Sequence, residues 1–279
     1  MRAANGHAKG EALMAFSIGA AANWLHQVHR ARAVVGTWPA KFATDDERTA
    51  YKVQDALLKK LVPRQGPLVG YKIALTSPQI WEQTGLKGPA YGPIRRKRVF
   101  EHKATVRADQ WSRLGVELEI VLTVNADVPR AKGKGYDKDS IALYVGSARA
   151  GFELIDDRGA DYSKLTVPWL VMDVGWNGGS LLAKPNRNWS KLDLGNLEGS
   201  IAFDGKVVRT GHSGDVLGHC YNALAWLANK LGEHGKTLKK GMIVSTGSMV
   251  ACQFVPPGST AVGRIEGLGE VTLKYALPK

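Results

Sequence analysis

The chain has 279 residues, of which 44% are hydrophobic and 8% aromatic, and this is enough to bury the core of an ordinary globular protein. No run approaches the roughly 20 apolar residues that a membrane-spanning helix needs, so the composition predicts no membrane partner. The formal net charge of +13 favours anionic partners, because long-range attraction raises their concentration near the surface.

The densest basic cluster is Arg95-Arg96-Lys97-Arg98. It contains no interleaved aromatic residues and no motif that reads nucleic acid, so we interpret it as a solvated or steering surface and predict no nucleic-acid partner. The two cysteines, Cys220 and Cys252, lie outside any CxxC or Cys/His cluster. This favours neither zinc nor a disulfide framework, and it predicts a reducing compartment, the cytoplasm.

The N-terminal region permits two interpretations. Basic residues precede a short apolar stretch, as in a secretory leader, but Ser17 and Gly19 interrupt that stretch. The interpretation that we favour is a tail that runs into an amphipathic helix near residues 21–33. A second helix is predicted over residues 44–61, since Thr44 and Glu47 form a capping box and Pro63 closes the segment.

After Pro67 the pattern changes to short β-rich runs separated by Gly and Pro. Strands are predicted at residues 68–74, 116–124, 151–155, 181–183, 199–203, 242–246, 259–265 and 271–275. One amphipathic helix is predicted over residues 214–231. Since regular βαβ alternation is missing, the pattern indicates an α+β protein with a helical N-terminal region, residues 1–66, and a β-rich catalytic domain, residues 67–279.

Several common site signatures fail on spacing. Gly235-Lys236-Thr237 resembles the end of a phosphate loop, but Lys230 stands where that loop needs glycine. No GxGxxG and no HExxH occurs, and Ser213 lacks the spacing of a nucleophile elbow. His219 lies beside the apolar stripe of a predicted helix, which favours a structural role.

The pattern with chemical content is a pair of acidic residues in an apolar strand. Glu117 and Glu119 are two residues apart in residues 116–124, so both side chains point to the same face. Glu153 lies in another apolar strand. Inward-facing carboxylates repel each other unless a cation compensates, and an all-oxygen ligand set favours Mg²⁺ or Mn²⁺. The alternative is that the pair only marks the solvent face of a half-exposed sheet.

A series of ordered motifs surrounds these residues: Gly70-Tyr71-Lys72-Ile73-Ala74-Leu75-Thr76, Tyr91-Gly92, the Glu117/Glu119 strand, Glu153-Leu154-Ile155-Asp156-Asp157-Arg158, Leu217-Gly218-His219 with Asn222 and Trp226-Leu227-Ala228, Gly241-Met242-Ile243-Val244-Ser245-Thr246-Gly247, and Ile265-Glu266-Gly267-Leu268-Gly269. At this spacing, the chain resembles the fumarylacetoacetate hydrolase superfamily over roughly residues 44–275. The likeness is stronger to its branch of 2-oxopent-4-enoate hydratases and 4-oxalocrotonate decarboxylases.

The resemblance implies a mixed β-sheet roll or barrel-like fold around a central cleft and assembly into a homo-oligomer. It implies that Glu117, Glu119 and Glu153 bind Mg²⁺ or Mn²⁺ and that Lys72 acts in catalysis, with a pKa lowered where it is desolvated near the cation. Substrate-binding residues are expected at Tyr91, Gly92, Asn177, Ser180, Thr246 and Gly247. The implied function is that of a metal-dependent lyase acting on a small 2-oxo acid, such as 2-oxopent-4-enoate or 4-oxalocrotonate, in aromatic-compound catabolism.

Two departures from the family pattern bear on the reaction. Hydratases of this branch commonly carry an acidic residue before the aromatic-glycine pair, whereas this chain has Ala90, which favours decarboxylation. Trp176 stands where the family has a small or acidic residue. Two alternatives stay open: an acylpyruvate-type C–C hydrolase, although no His-Glu pair of that kind is found, and an inactive relative that acts as a binding or scaffold protein.

Overall fold

The computed structural model describes residues 16–77, 80–81, 86 and 88–279. Residues 1–15, which include most of the possible leader, lie outside the described residues. The helices are α1 (Ile18–Ala31), α2 (Glu47–Gln65), α3 (Lys138–Ala142), α4 (Val167–Met172) and α5 (Cys220–Glu233). Within this part of the chain, no helix has both the length and the apolar character that crossing a bilayer requires.

The strands make up most of the β-rich region. They are β1 (Leu68–Ala74), β2 (Ala90–Arg95), β3 (Val99–Glu101), β4 (Lys103–Arg107), β5 (Leu114–Val124), β6 (Val145–Asp156), β7 (Asn177–Leu182), β8 (Glu198–Phe203), β9 (Lys206–His212), β10 (Ile243–Ser248), β11 (Gln253–Phe254), β12 (Thr260–Ile265) and β13 (Gly269–Ala276). The predicted strands are all present, and several extend by a few residues beyond their predicted ends.

Two mixed sheets organise these strands. In the larger sheet the order is β2-β1-β10-β5-β6-β7-β3, and β11 pairs with the beginning of β5. The smaller sheet has the order β4-β13-β12-β8-β9. The sheets pack closely, since the ring of Phe152 on β6 lies against Gly263 on β12. Phe152 and Leu118 are fully buried between them. The predicted α+β class is confirmed.

The N-terminal helices pack on the larger sheet. α1 contacts α2, and α2 contacts α4 and β2. Leu25 of α1 and Leu57 of α2 belong to the same buried cluster as Leu118 and Phe152, so the helices and the sheets share one hydrophobic core. The division of the chain at residues 66 and 67 stays a prediction.

The predicted ends of α2 are wrong. Asp46, rather than Thr44, caps the helix, because its carboxylate accepts hydrogen bonds from the backbone N–H groups of Arg48 and Thr49. Pro63 does not end the helix. It lies inside the last turn, where little helix remains to be disrupted, and the chain leaves the helix at Gly66 with a φ of 80°.

The last helix begins later than predicted. Residues Ser213–Asp215 form a separate 3-10 turn, and α5 starts only at Cys220. The chain turns between them at Leu217 and Gly218, which both have positive φ. His219 is the N-cap of α5, and its Nδ1 accepts a hydrogen bond from the N–H of Tyr221 at 3.0 Å. This is the structural role that the sequence predicted.

The interpretation of the basic run as a solvated surface is wrong at Arg95. This residue ends β2 and is only 1% exposed, and its guanidinium donates hydrogen bonds to Gln65, Asn177 and the carbonyl of Pro93. The difference arises because every residue of β2 is buried, whereas residues 96–98 form a 3-10 turn after the strand. Arg96 and Lys97 are exposed.

Candidate metal centre

Three carboxylates meet where the two long central strands lie side by side. Glu117 on β5 is directly opposite Glu153 on β6, and Glu119 follows two residues later on the same face of β5. One carboxylate oxygen from each residue lies within 4.8 Å of the other two. The sheet therefore brings together the three residues that the sequence predicted as metal ligands.

Burial and mutual repulsion shape the charge of this cluster. Glu119 and Glu153 are 0% exposed, whereas Glu117 keeps partial exposure to a cavity. Burial raises the pKa of Glu117 to about 7, and the nearby Lys72 opposes this rise. Burial, together with the charges of Glu153 and Glu117, holds the pKa of Glu119 well above its usual range. Such a cluster favours the uptake of positive charge.

Lys72 of β1 supplies one positive charge. Its Nζ lies 3.1 Å from Oε2 of Glu153, and its side chain is 2% exposed. Burial by itself lowers the pKa of Lys72, but the charges of Glu153, Glu117 and Glu119 together outweigh burial and raise it. The charges of the three glutamates therefore favour the protonated form of Lys72 in the metal-free protein, and the lowering of its pKa beside a bound cation stays a prediction.

The carboxylate cluster fits a hard divalent cation. Oxygen ligands lie about 2.0 to 2.6 Å from Mg²⁺ or Ca²⁺, so ligands on opposite sides of one ion are separated by about 4 to 5 Å. The separation of up to 4.8 Å among the three carboxylates is compatible with this geometry. In addition, Oε1 of Glu119 is buried and receives no hydrogen bond from the described residues. An acceptor in this condition is costly unless a cation compensates it.

Two further residues orient the carboxylates. The backbone N–H of Gly247 donates to Oε2 of Glu119 at 3.0 Å. Asn177 donates from Nδ2 to Oε1 of Glu153 at 2.8 Å, and its own Oδ1 accepts from Arg95 at 3.1 Å. Both residues were predicted to bind substrate, but in the structure they contact ligand carboxylates. They lie beside the three carboxylates and do not line the cavity that opens above Glu117 and Lys72.

A cavity of about 370 Å³ opens above Glu117 and Lys72. Its remaining polar wall includes Thr76 and Ser248. Most of the wall is apolar and is formed by Ile73, Ala74, Leu75, Ile80, Ile155, Leu165, Leu170, Trp176 and Phe254, with Tyr162 and Cys252 beside them. Sequence reasoning missed Tyr162, Leu165, Leu170 and Cys252. They come from loops and short elements without a recognisable motif.

Tyr91, Gly92 and Thr246 were predicted to bind substrate, but they lie outside the cavity. The hydroxyl of Tyr91 is 2.8 Å from Nδ1 of His234, and its ring stacks on Tyr51, away from the cavity. A side chain at Gly92 would overlap the carbonyl oxygen of Val174, so this glycine permits close packing of β2 against residues 174–176.

Thr246 donates to the carbonyl of Ile120 and holds β10 to β5. Ser180 lies opposite Glu153 on β7, and its buried Oγ has no hydrogen-bond partner among the described residues. Of Thr246 and Ser180, Ser180 is therefore the residue that lies next to a carboxylate of the cluster, that of Glu153.

Comparisons with known proteins place this geometry in context. No family model matches the chain. The chain is 26% identical to a 4-oxalocrotonate decarboxylase of Pseudomonas putida over 249 residues, which are 89% of this chain and 91% of that protein. It is 27% identical to a 2-keto-4-pentenoate hydratase of Paraburkholderia phymatum over 231 residues, covering 83% and 87% of the two chains.

The solved structures agree. A 4-oxalocrotonate decarboxylase from Pseudomonas putida G7, complexed with magnesium and adipate, matches with a TM-score of 0.84 and 25% identity over 92% of this chain and 97% of that one. A fumarylpyruvate hydrolase from Pseudomonas aeruginosa matches in fold, with a TM-score of 0.59 and 15% identity over 75% and 89% of the chains. The resemblance stated from the motifs is confirmed.

Proposed function

We propose that this chain, a homologue of the hydratases and decarboxylases in the fumarylacetoacetate hydrolase superfamily, is a divalent-metal-dependent lyase that acts on a small 2-oxo acid. Its place would be in the breakdown of aromatic compounds, as the resemblance of its motifs implies. One observation carries the proposal: Glu117, Glu119 and Glu153 converge beside Lys72 at the floor of a mostly apolar cavity.

The three glutamates would hold Mg²⁺ or Mn²⁺, and the bound ion would stabilise negative charge on the 2-keto oxygen of the substrate. Gly247 and Asn177 fix the orientation of Glu119 and Glu153. Glu153, 3.1 Å away, favours the protonated form of Lys72, which would attract the substrate carboxylate or relay a proton. Hydration and decarboxylation both develop charge on the same keto oxygen, so this arrangement serves either reaction.

The apolar wall indicates what the far end of the substrate looks like. Leu165, Leu170 and Trp176 face the cavity, and Lys72 is the only Lys or Arg among the described residues that line it. A second carboxylate at the far end would therefore lose its hydration without gaining a cation. This favours a substrate with an apolar tail, such as 2-oxopent-4-enoate, over the dicarboxylate 4-oxalocrotonate, and it opposes the preference drawn from Ala90.

The runner-up is a C–C hydrolase acting on acylpyruvates. Hydrolases of the superfamily often use a general-base histidine, and no histidine lines the described part of the cavity. An inactive scaffold is disfavoured because the complete carboxylate cluster and its positioning contacts are present. Homo-oligomeric assembly and a cytoplasmic location stay predictions. The two cysteines are free, which is compatible with the predicted reducing compartment.

The test is turnover followed by ultraviolet absorbance. Purified full-length chain with Mg²⁺ or Mn²⁺ is given 2-oxopent-4-enoate, 4-oxalocrotonate or an acylpyruvate. We expect turnover of a hydratase or decarboxylase substrate, with the apolar-tailed acid preferred. Activity should be lost in Glu119→Gln and retained in Glu270→Gln, which changes an exposed glutamate of β13. Turnover of the acylpyruvate alone would favour the hydrolase, and no metal-dependent turnover of any of the three would contradict the proposal.

A further inference from the structure

A second cavity of about 370 Å³ lies on the other side of Asn177 from the carboxylate cluster. It is bounded by the C-terminal parts of α1 and α2 and by the segment after β2. Its wall carries an unusual set of cationic residues: Arg30, Arg32, Lys60, Arg64, Arg95, Lys97, Arg98 and Arg158, together with His26 and His29. Asp156 is the one carboxylate on this wall among the described residues.

Asp156 and the neighbouring Asp173 are already engaged. Asp156 pairs with Arg158 at 3.0 Å, and Asp173 pairs with both Arg158 and His29. In the described part of the chain, the other seven Lys and Arg residues on the wall form no ion pair within 4.0 Å. The cavity therefore has a large excess of uncompensated positive charge.

Helix ends explain only part of this cluster. Basic residues near a helix C-terminus interact favourably with the helix dipole, which accounts for Arg30 in α1 and Arg64 in α2. Arg95, Lys97 and Arg98 belong to a different segment and converge on the same space. The mutual repulsion is visible at Arg95, whose pKa is lowered to about 9 by burial and by the charges of Arg98 and Arg158. Keeping such groups together is unfavourable unless an anion offsets the repulsion.

The guanidinium groups at the back of the cavity are held in place. Arg95 is fixed by Gln65, Asn177 and the carbonyl of Pro93. Arg98 donates to the carbonyl of Gly178, and its guanidinium lies 4.9 Å from the ring centre of Trp111. Fixed, planar guanidinium groups suit phosphate and carboxylate oxygens, because less freedom is lost when a ligand binds. A cavity of about 370 Å³ suits a small molecule rather than an extended nucleic acid.

We propose that this cavity is a binding site for a small polyanion with at least two closely spaced negative groups, phosphate or carboxylate. The site is separate from the proposed active site, and Asn177 connects the two, since it lines this cavity and donates a hydrogen bond to Glu153. Nothing in this proposal depends on the reaction that the chain catalyses.

The test is calorimetric titration of the full-length, Mg²⁺-loaded protein with inorganic pyrophosphate and, separately, with tricarballylate, at fixed free Mg²⁺ and 0.1 M salt. The two arms distinguish a phosphate ligand from a carboxylate ligand. The double variant Arg64→Gln/Lys97→Gln changes exposed residues of the cavity and should weaken binding by about tenfold. Its matched control, Lys103→Gln/Lys274→Gln, removes the same charge from exposed positions on β4 and β13 and should bind as the wild type does.

Three outcomes would overturn the proposal. Equal weakening in both double variants would mean general attraction by net charge. Loss of binding in Glu119→Gln would place the probe on the metal instead. No binding of either probe up to about 1 mM, the weak end of specific affinities, would leave the cavity without the proposed ligand class. Thermal melting of each variant, compared with wild type, checks that folding is preserved.

Discussion

Glu117 and Glu153 stand directly opposite each other on two antiparallel strands, β5 and β6. Like charges in this position normally destabilise a sheet. Here the cost is offset by Lys72 at 3.1 Å from Glu153 and, in our proposal, by a divalent cation. The register of β5 and β6 thus produces both the repulsion between Glu117 and Glu153 and the candidate metal site.

The first prediction concerns Glu119→Gln. In the metal-free protein, burial and the charges of Glu153 and Glu117 hold the pKa of Glu119 well above its usual range, so its charged form contributes little to stability. Glutamine keeps its shape and can still accept from Gly247, so the free energy of unfolding should change by less than about 1 kcal/mol. Mg²⁺ affinity should fall by about 100-fold, since a charged ligand is lost. Urea denaturation and calorimetric titration measure the two effects.

The exposed Glu270→Gln provides the matched control and should leave both quantities at their wild-type values. A Glu119→Gln protein that binds Mg²⁺ as tightly as the wild type would remove Glu119 from the ligand set.

The sequence predicts that Glu117 and Glu119 lie together because the spacing of residues within one strand is a short-range regularity. The two-residue repeat of a strand places Glu117 and Glu119 on one face whatever the topology. That Glu153 joins them depends on strand pairing, which the family resemblance supplied and periodicity did not. Periodicity also does not predict most of the cavity wall. Tyr162 lies in a 3-10 turn and Leu165 follows it, and neither position has a repeating pattern.

The errors have a shared physical cause. Tyr91 belongs to a motif, but its side chain bonds His234 at the C-terminal end of α5, and only the tertiary structure shows this. Arg95 belongs to a basic run that the sequence predicts to be solvated, yet it is the last residue of β2 and is buried. Linear patterns predict the direction in which a side chain leaves its own strand, and they do not predict which element covers it.

The second prediction concerns Lys72→Met, which keeps the buried aliphatic stem and removes the charge. Loss of the partner leaves Glu153 buried beside two other carboxylates, so the metal-free protein should lose about 3 kcal/mol of stability at pH 8. Mg²⁺ binding should not weaken, because a competing cation has been removed. kcat/KM for the preferred substrate should fall by about 100-fold or more.

The comparison variant is Lys103→Met, an exposed lysine on β4, which should be neutral in all three measurements. Weaker Mg²⁺ binding in Lys72→Met would argue that Lys72 supports the metal site instead of the substrate.

The third prediction uses Gly247→Ala. Gly247 has a φ of 115°, and an added Cβ would overlap the hydroxyl of Thr76. Strain and overlap together should cost more than about 2 kcal/mol, and displacement of the N–H that bonds Glu119 should weaken Mg²⁺ binding. In Gly235→Ala the φ is 73° but the space is open, so only about 1 kcal/mol should be lost, with no effect on the metal. Equal costs at the two glycines would show that the overlap with Thr76 is relieved at no cost.

The fourth prediction concerns stability at acidic pH. Burial and the neighbouring Arg158 lower the pKa of His29 to about 4, although Asp173 opposes them, whereas an exposed histidine titrates near 6.5. Between these values the unfolded chain binds a proton that the folded chain does not. The contribution of His29 to the free energy of unfolding should therefore fall by about 3 kcal/mol as the pH drops from 6.5 to 4, against an opposite change from Glu117 and Glu119, whose pKa values are raised in the folded protein. Urea denaturation at a series of pH values in EDTA measures this slope. Since His29→Gln has no group that titrates in this range at that position, the wild type should lose about 3 kcal/mol more than this variant between pH 6.5 and 4. Parallel slopes would show that His29 is not held neutral in the folded protein, and the acid loss would then have to come from other groups.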